Sequence, residues 1–425
     1  MADIPFPRGV RDLMPNEALF RNELLNTIEA SFQRFGYLSI DTPAFESLKV
    51  LNAKDVIGEE AKLLYEMKFE DIGLRYDQTV SLARYMAMHQ SLPMPFKRYM
   101  IGKAWRREEP QKLRYREFTQ ADIDIVGSSS PAADAEVIAV PGYIFESLGL
   151  PYKILINDRK FVDGILGSLQ IKPEMRRPVM RAVDKLDKIG RDGVLESLTK
   201  LGIERDVLAK LDSLFNLQGG NEEKLSYLEK LVTEKEEIAH VREVLSILSN
   251  YNLKGTVELD FSLMRGLDYY TGMVFEFKLE NHDYKGTICG GGRYDNLIGV
   301  FAKKSMPAVG SSIGVDRLLD LLGFSSSMKY TYAQAFIVNV AETNYMYALR
   351  VANTLRANGI AVELNSAKRN ISNQLAYANS LKFPFAIIIG DAEEKLTKVK
   401  LRNLITGTEA SLALKEAIDI IKKGV

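Results

Sequence analysis

The stretch 97–126 constrains the fold more than any other part of the chain. A strand-like run, 97–101, leads to a polar turn at 108–114 and then to the alternating run Glu117–Val126. In that run Phe118, Gln120, Asp122 and Asp124 fall on one face, and Ile123 and Ile125 on the other. Side chains alternate across a strand, so the two runs predict an antiparallel hairpin around a long polar loop.

The rest of the chain is read by the same periodicities. Over 16–35, Phe20, Leu24, Ile28 and Phe32 recur at four-residue spacing and predict a helix, with Gly36 at its expected stop. The segment 37–42 is extended, because Pro43 disfavours helix in the residue before it. A second helix is predicted over 80–89. The stretch 172–250 is dense in Leu, Lys and Glu at helical spacing and reads as a helical insertion. Strand patterns resume at 257–263 and Met273–Leu279, followed by Gly290-Gly291-Gly292, a run that usually marks a turn. A helix is expected from about Ser312, and Leu321-Leu322-Gly323-Phe324-Ser325-Ser326-Ser327 reads as a helix end and flexible linker. Beyond it, apolar runs at 335–340 and Phe385–Ile389 suit buried strands. Tyr345–Ala357, 371–381 and 412–423 suit helices, so a small mixed-sheet α/β domain is expected.

A length of 425 residues predicts two or three domains. Lys plus Arg number 56, as do Asp plus Glu, which argues against a general polyanion coat and leaves room for a local basic surface. No DNA partner is expected. The single cysteine, Cys289, excludes an intramolecular disulfide and a multi-cysteine zinc site. His89, His240 and His282 lie too far apart in sequence to suggest a histidine-rich metal centre. The opening residues carry no apolar signal core, and no run approaches the ~20 apolar residues that span a bilayer. A reducing, cytoplasmic setting with no membrane association is the expectation.

Arginine stands in unusual company in three separated segments. They are Trp105-Arg106-Arg107-Glu108-Glu109-Pro110-Gln111-Lys112-Leu113-Arg114-Tyr115-Arg116-Glu117-Phe118, Arg265-Gly266-Leu267-Asp268-Tyr269-Tyr270-Thr271-Gly272, and Gly310-Ser311-Ser312-Ile313-Gly314-Val315-Asp316-Arg317. A guanidinium matches phosphate oxygens with a planar fork and stays charged. Each piece alone has a bland explanation: Arg-Arg-Glu-Glu as a solvated turn, Asp-Arg as a surface ion pair. Their joint order is the informative feature.

In that order the segments resemble the signature motifs of class II aminoacyl-tRNA synthetases, and specifically the histidyl-tRNA synthetase family. Pro7-Arg8-Gly9-Val10-Arg11-Asp12 resembles the family's start, and the helix leading into Gly36-Tyr37 and Thr42-Pro43 is similar to motif 1, its dimer-forming element. The Arg106-to-Phe118 segment resembles motif 2, and the Ile313-to-Arg317 segment motif 3. The run from Arg265 to Gly272 looks like the histidine-specific motif, and Cys289-Gly290-Gly291-Gly292-Arg293-Tyr294-Asp295 like its second part. The resemblance covers nearly the whole chain, most loosely in the helical insertion.

The resemblance implies an α+β protein. A class II antiparallel-sheet catalytic core would occupy 1–165 and 253–324, interrupted by a helical insertion at 166–252, with a C-terminal α/β anticodon-binding domain at 331–425. It implies L-histidine, ATP and tRNA(His) as partners, Mg2+ on the outer ATP phosphates, and a homodimer. Arg106 and Arg265 would face the α-phosphate as the catalytic groups, acting electrostatically and without a side-chain nucleophile. Glu108 would sit near the adenine amino group, Phe118 would stack on the ring, and Arg114 and Arg317 would hold the outer phosphates. Asp124 and Tyr270 would take the imidazole nitrogens, Tyr269 would line the same pocket, and Asp77, Thr79 and Gln120 would receive the α-amino group, with Gln120 also near the carboxylate and Arg265 counted among the histidine-binding residues. A pocket of matched polar groups rejects analogues that lack them.

Some residues depart from the pattern. Glu109 and Leu113 stand where an arginine and a glycine are common in relatives, in a loop that would approach the tRNA acceptor end. Asp77 and Asp124 are shorter than the glutamates of part of the family, and Asp316 replaces a frequent glutamate. In the C-terminal segment Arg369, Gln374 and Tyr377 are candidate base contacts, and in the insertion Arg176, Arg177, Arg181, Lys185 and Lys188 are candidate phosphate contacts or a solvated face.

Three rival readings are weaker. A catalytically inert regulatory subunit of ATP phosphoribosyltransferase shares the catalytic fold, but such proteins generally lack the anticodon domain and degrade the ATP motifs. Prolyl and threonyl ligases lack the 265–272 motif, and the threonyl enzyme needs zinc ligands that this chain does not supply. An unrelated α/β nucleotide-binding enzyme would show a phosphate-loop or dinucleotide glycine pattern, and none occurs.

Overall fold

The structure, a computed structural model, describes residues 5–53, 63–215, 217–232, 235–264, 269–323, 330–367 and 370–424. Contacts divide the chain into two compact units, Met1–Val10 with Leu25–Leu322, and Arg11–Leu24 with Gly323–Val425.

The first unit is built on an eight-stranded sheet. In chain order its strands are β1 (Leu38–Ser39), β5 (Phe96–Trp105), β6 (Glu117–Val126), β7 (Tyr152–Asp158), β8 (Thr256–Leu259), β9 (Met273–Leu279), β10 (Thr287–Arg293) and β11 (Ala308–Gly314). A separate three-stranded sheet holds β2 (Phe45–Ser47), β3 (Tyr65–Glu66) and β4 (Ile72–Leu74). The large sheet runs β1-β5-β6-β11-β10-β9-β7-β8. Its centre is antiparallel throughout. The two edges are parallel, β1 on β5 and β8 on β7, so the expected antiparallel core is mixed at its rims. A parallel partner needs a long crossover, and the helices between β7 and β8 supply one.

The hairpin extends further than the sequence pattern indicated. β5 and β6 pair from Phe96 opposite Val126 to Trp105 opposite Glu117. Helix Pro15–Arg34 buries Leu24, Ile28 and Phe32 as predicted, and Phe32 packs on Tyr99 of β5 with ring centroids 5.6 Å apart. Helix Thr79–Met88 begins one residue before its expected start.

Helix Pro131–Ser147 escaped the periodicity because it is apolar on nearly every side and buried, leaving no amphipathic stripe. Its start is marked by Ser130, whose hydroxyl accepts from the Ala132 N–H, and by Pro131 in the first turn. It lies against β6, β10 and β11, and Glu236–Asn250 packs on it in turn. The 172–250 stretch is helical as expected, comprising Pro173–Val183, Leu186–Lys200, Arg205–Phe215, Asn221–Leu228 and Glu236–Asn250. Its last helix packs against the core.

Two local expectations are corrected. Gly290, Gly291 and Gly292 lie inside β10, a central strand, and not in a turn. A Cβ on Gly291 would meet Gly310 O at 2.0 Å, and one on Gly292 would meet Met273 O at 2.6 Å, so close packing selects glycine here. Ser312 lies in β11, paired on both sides, and the helix starts only at Val315.

The second unit carries its own sheet: β12 (Ala335–Asn339), β13 (Val362–Leu364), β14 (Phe385–Ile389), β15 (Lys398–Asn403) and β16 (Glu409–Ala413), in the order β13-β12-β14-β15-β16. β12 is parallel to both neighbours, and β15 and β16 are antiparallel additions. Ala335 and Ile337 face helices Tyr345–Ala357 and Leu414–Lys423, while Phe336 and Val338 pack with Ala378 and Leu375 of helix Ile371–Ser380. Leu412, expected to open the last helix, belongs to β16. Gln374 is buried and donates to Asn339 O, which takes it off any base-stacking surface, and Tyr377 donates to Glu363. Arg369 lies outside the described residues. Among the described residues no helix is long and apolar enough to cross a membrane.

Candidate active site

Alternation along β6 places Phe118, Gln120, Asp122 and Asp124 on one face of the large sheet. There they line an open cavity of about 1040 Å³, counted out to its mouth. β11 lies beside β6 with Gly310 opposite Asp124 and Ser312 opposite Asp122, so the floor on that side is small and flat. Gln120 Nε2 donates to Ser312 Oγ at 2.6 Å. The start of the helix Val315–Leu322 is tied to the same floor, where Asp316 Oδ2 accepts the Thr119 N–H at 2.5 Å. That bond places the next residue, Arg317, in the cavity wall.

One end of the cavity is cationic. Arg106 leaves the end of β5, donates from Nε to Tyr76 O at 3.1 Å, and holds its guanidinium 5.3 Å from the Phe118 ring centroid. Arg114 pairs with Glu108 at 3.0 Å. Arg317 donates to Thr287 O and lies 5.8 Å from the Tyr284 ring centroid.

The other end is acidic and phenolic. Asp77, Asp122 and Asp124 are all buried there, with Thr79, Tyr269 and Tyr270 beside them. Arg98, fully buried on β5 opposite Asp124, pairs with Asp124 Oδ2 at 2.5 Å, and the Tyr294 hydroxyl donates to Asp124 Oδ1. Asp77 Oδ1 accepts the Val80 N–H at the start of helix Thr79–Met88. Among the described residues Asp77 Oδ2, Gln120 Oε1 and Asp122 Oδ1 have no hydrogen-bond partner. Burial pushes all three carboxyls upward, against the pull of the Arg98 charge; Asp122, repelled also by Asp124 and Asp77, is pushed up to about 7. Unpartnered buried acceptors are costly, and a cluster of them calls for a cationic or N–H-bearing ligand.

A family model for histidyl-tRNA synthetase matches residues 9–318, and one for an anticodon binding domain matches 334–424. The chain belongs to the histidyl-tRNA synthetase family. Curated relatives include a histidine–tRNA ligase of Clostridium tetani, 38% identical over 97% of both chains, and one of Korarchaeum cryptofilum, 38% identical over 99% of both. A crystal structure of histidyl-tRNA synthetase from Nostoc sp. PCC 7120 superposes with a TM-score of 0.88 at 31% identity, covering 100% of each chain.

Within this family member every residue expected at the ATP and histidine sites except Arg265 lines one cavity. Arg265 lies outside the described residues, as do Gly266, Leu267 and Asp268; the description resumes at Tyr269. Tyr269 and Tyr270 are both buried, in edge contact at 4.9 Å between centroids, and Tyr269 also packs on Tyr294. Asp124 lines the cavity with both oxygens already engaged, by Arg98 and Tyr294.

Three groups were not assigned roles from sequence. Asp122 was legible as a same-face neighbour of Gln120 and Asp124. Tyr294 was visible only as part of the run from Cys289 to Asp295. Arg98 carried no signal, since a basic residue on a strand of alternating polarity reads as a solvent-facing position.

Proposed function

We infer that the chain joins L-histidine to tRNA(His) in two steps, forming histidyl-adenylate from ATP and then transferring the histidyl group to the tRNA 3′ end. One observation carries the reading: an arginine-lined end and an acidic, phenolic end meet in a single cavity on the sheet. The first suits a polyphosphate and the second suits the ammonium and imidazole of histidine.

In this reading Phe118 stacks on adenine, Glu108 turns from Arg114 to the adenine amino group, and Arg114 and Arg317 hold the outer phosphates. Arg106, with Arg265, faces the α-phosphate. An oxygen of the histidine carboxylate attacks the α-phosphorus in line as the bond to pyrophosphate breaks, and the guanidiniums stabilise the charge that develops. The carboxylate is already ionised, so no general base is required. Asp77, Thr79, Gln120 and Asp122 receive the α-ammonium, which supplies the cation that the unpartnered acceptors lack. The terminal ribose hydroxyl of the tRNA then attacks the adenylate carbonyl and AMP leaves. Magnesium enters with ATP on its outer phosphates; among the described residues no group of three acidic, histidine or cysteine side chains is set to hold a metal.

The dimer contacts of motif 1, a cytoplasmic location, a catalytic core interrupted at 166–252 and an anticodon-reading role for 331–425 complete the proposal. The match of 334–424 to an anticodon binding domain weighs against the regulatory-subunit alternative, which would have no use for it. Amino-acid-dependent exchange of labelled pyrophosphate into ATP is the test. Exchange with histidine alone is expected; exchange with proline or threonine in its place refutes the assignment. Arg265→Ala should abolish exchange in a folded protein, and near-normal turnover would remove Arg265 from the mechanism.

A further inference from the structure

The Arg98 guanidinium is fully buried on β5, and its charge bears on three buried carboxylates rather than one. It pairs directly with Asp124 at 2.5 Å, and its charge also acts on Asp122 and Asp77. Its Nε and Nη1 have no hydrogen-bond partner among the described residues. A buried guanidinium with unused donors is expensive to keep. A solely structural ion pair would normally satisfy its own fork, so the arrangement calls for a role in the cavity beside it.

The hydrogen bond on the far side of Asp124 suggests what that role is. A tyrosine hydroxyl has one proton to donate. The Tyr294 hydroxyl gives its proton to Asp124 Oδ1, and both residues line the cavity. While Asp124 is an anion it can only accept, so that proton stays committed and the phenolic oxygen has only lone pairs to offer. Were Asp124 protonated, the direction could reverse, with the carboxyl donating and the hydroxyl turned outward as a donor. Neutral imidazole has one N–H and one bare nitrogen, and these two pocket states would greet opposite edges of the ring.

We propose that Arg98 is a positioning residue that sets the hydrogen-bond polarity of the imidazole subsite: by pairing with Asp124 it commits the Tyr294 proton to that carboxylate and leaves the Tyr294 oxygen as acceptor for an imidazole N–H. The proposal rests on the histidine-activating reading above and adds to it a residue that touches no substrate. Among the described residues the charged and titratable groups that bear on Asp124 and its partners are Arg98 and Arg75, Asp122, Asp77 with Arg106, Tyr294 with Tyr270, and Tyr37. Among them Arg98 is the only one paired with Asp124 by charge, and Arg75 is held elsewhere by Thr42 O and Lys103 O.

The test is pyrophosphate exchange by the full chain, with histidine and ATP varied separately between pH 6 and 9. Arg98→Met should raise KM for histidine on the order of 10²-fold while leaving KM for ATP within about twofold, because a buried anion loses its only counter-charge among the described residues. The acid limb of kcat/KM for histidine should move to higher pH, and Arg98→Lys should restore part of both. Free histidine titrates identically in every assay, so a displaced limb reports on the protein. Tyr294→Phe buries no new charge and guards against a fold that fails for that reason. It should raise KM for histidine, and the double variant should be little worse than either single one. Additive effects, an unmoved acid limb, or equal changes in both KM values would overturn the role of Arg98. Absence of histidine-dependent exchange by the unaltered chain would instead overturn the functional reading itself.

Discussion

Gly310 and Asp124 stand opposite each other on neighbouring strands, so close that a methyl group on Gly310 would come within 1.9 Å of Asp124 Oδ1. The contact is with a buried carboxylate already held by Arg98 and Tyr294, so the side chain cannot swing away without breaking both partners. Gly310→Ala should therefore displace Asp124 and leave the Arg98 charge unpaired. The expected result is loss of about 3 kcal/mol or more of stability, with KM for histidine raised far more than KM for ATP in whatever protein remains folded. Denaturant unfolding together with the two KM values checks this. An alanine variant with native stability and native histidine affinity would mean that the strands separate there at little cost.

Asp122 should make histidine binding pH-dependent. Burial first, then repulsion from Asp124 and Asp77, lifts its carboxyl to about 7, against the Arg98 charge and a bond from Ser312. As pH falls through 7 the carboxylate is lost and with it an ammonium ligand, so KM for histidine should rise toward acid. The stability sign is opposite. A carboxyl whose folded pKa lies above its unfolded value of 3.8 adds nothing unfavourable at low pH and destabilises the free protein increasingly as pH rises from 3.8 to about 7. Asp122→Asn should therefore raise the melting temperature at pH 8 while weakening histidine binding and flattening its pH profile. A variant less stable than the parent at pH 8 would show that the carboxylate is satisfied in the free protein.

The hairpin carrying Asp122 was the most legible part of the chain, because a half-polar strand keeps its period-two pattern even where the polar face lines a site. The residues grouped by motif resemblance also come together, since Arg106, Phe118 and Arg317 keep their neighbours in sequence. What stayed hidden was buried on both sides. Helix Pro131–Ser147 shows no stripe, and β7 is a short, nearly all-buried run against which helices Arg159–Ser168 and Glu236–Asn250 pack. The glycines of β10 resembled a turn, since sequence does not disclose how close the next backbone lies. Arg98 was unreadable for a related reason: a buried cation is recognised only by the acids that surround it, and these come from distant parts of the chain.

The loop between β5 and β6 holds Leu113 at φ +64°, a left-handed conformation that costs an L side chain roughly 1–2 kcal/mol. The family resemblance implies glycine here, and glycine adopts that backbone freely. Leu113→Gly should be more stable than Leu113→Ala by roughly 1 kcal/mol, because alanine keeps the strain and loses the leucine contacts. Denaturant midpoints of the two variants decide the point. If alanine proves equal or better, Leu113 is not strained in solution, and its departure from the common pattern has another origin.

The last expectation concerns His240, on helix Glu236–Asn250, whose Nε2 lies 3.1 Å from Asp134 Oδ2 on helix Pro131–Ser147. Asp134 also takes a two-point contact from Arg293, through Nε at 3.0 Å and Nη2 at 2.8 Å, and Arg293 O accepts the Thr271 N–H at 2.7 Å beside the histidine motif. The bond from Asp134 raises the imidazole pKa above 6.5, against burial. A histidine whose folded pKa is raised contributes stability that is fully present below its unfolded value of 6.5 and is lost as pH rises through the folded value. His240→Gln should thus destabilise the protein more at pH 5.5 than at pH 9; relative to the parent it gains with rising pH as Asp122→Asn does, because both groups have raised folded pKa values, but it starts from a loss. Thermal melts of the parent and the variant at both pH values measure the difference. Equal losses at the two pH values would make His240 a packing residue whose charge does not matter. A loss confined to low pH, with KM for histidine rising alongside it, would tie the clamp on Arg293 to the order of the loop that carries Tyr269 and Tyr270.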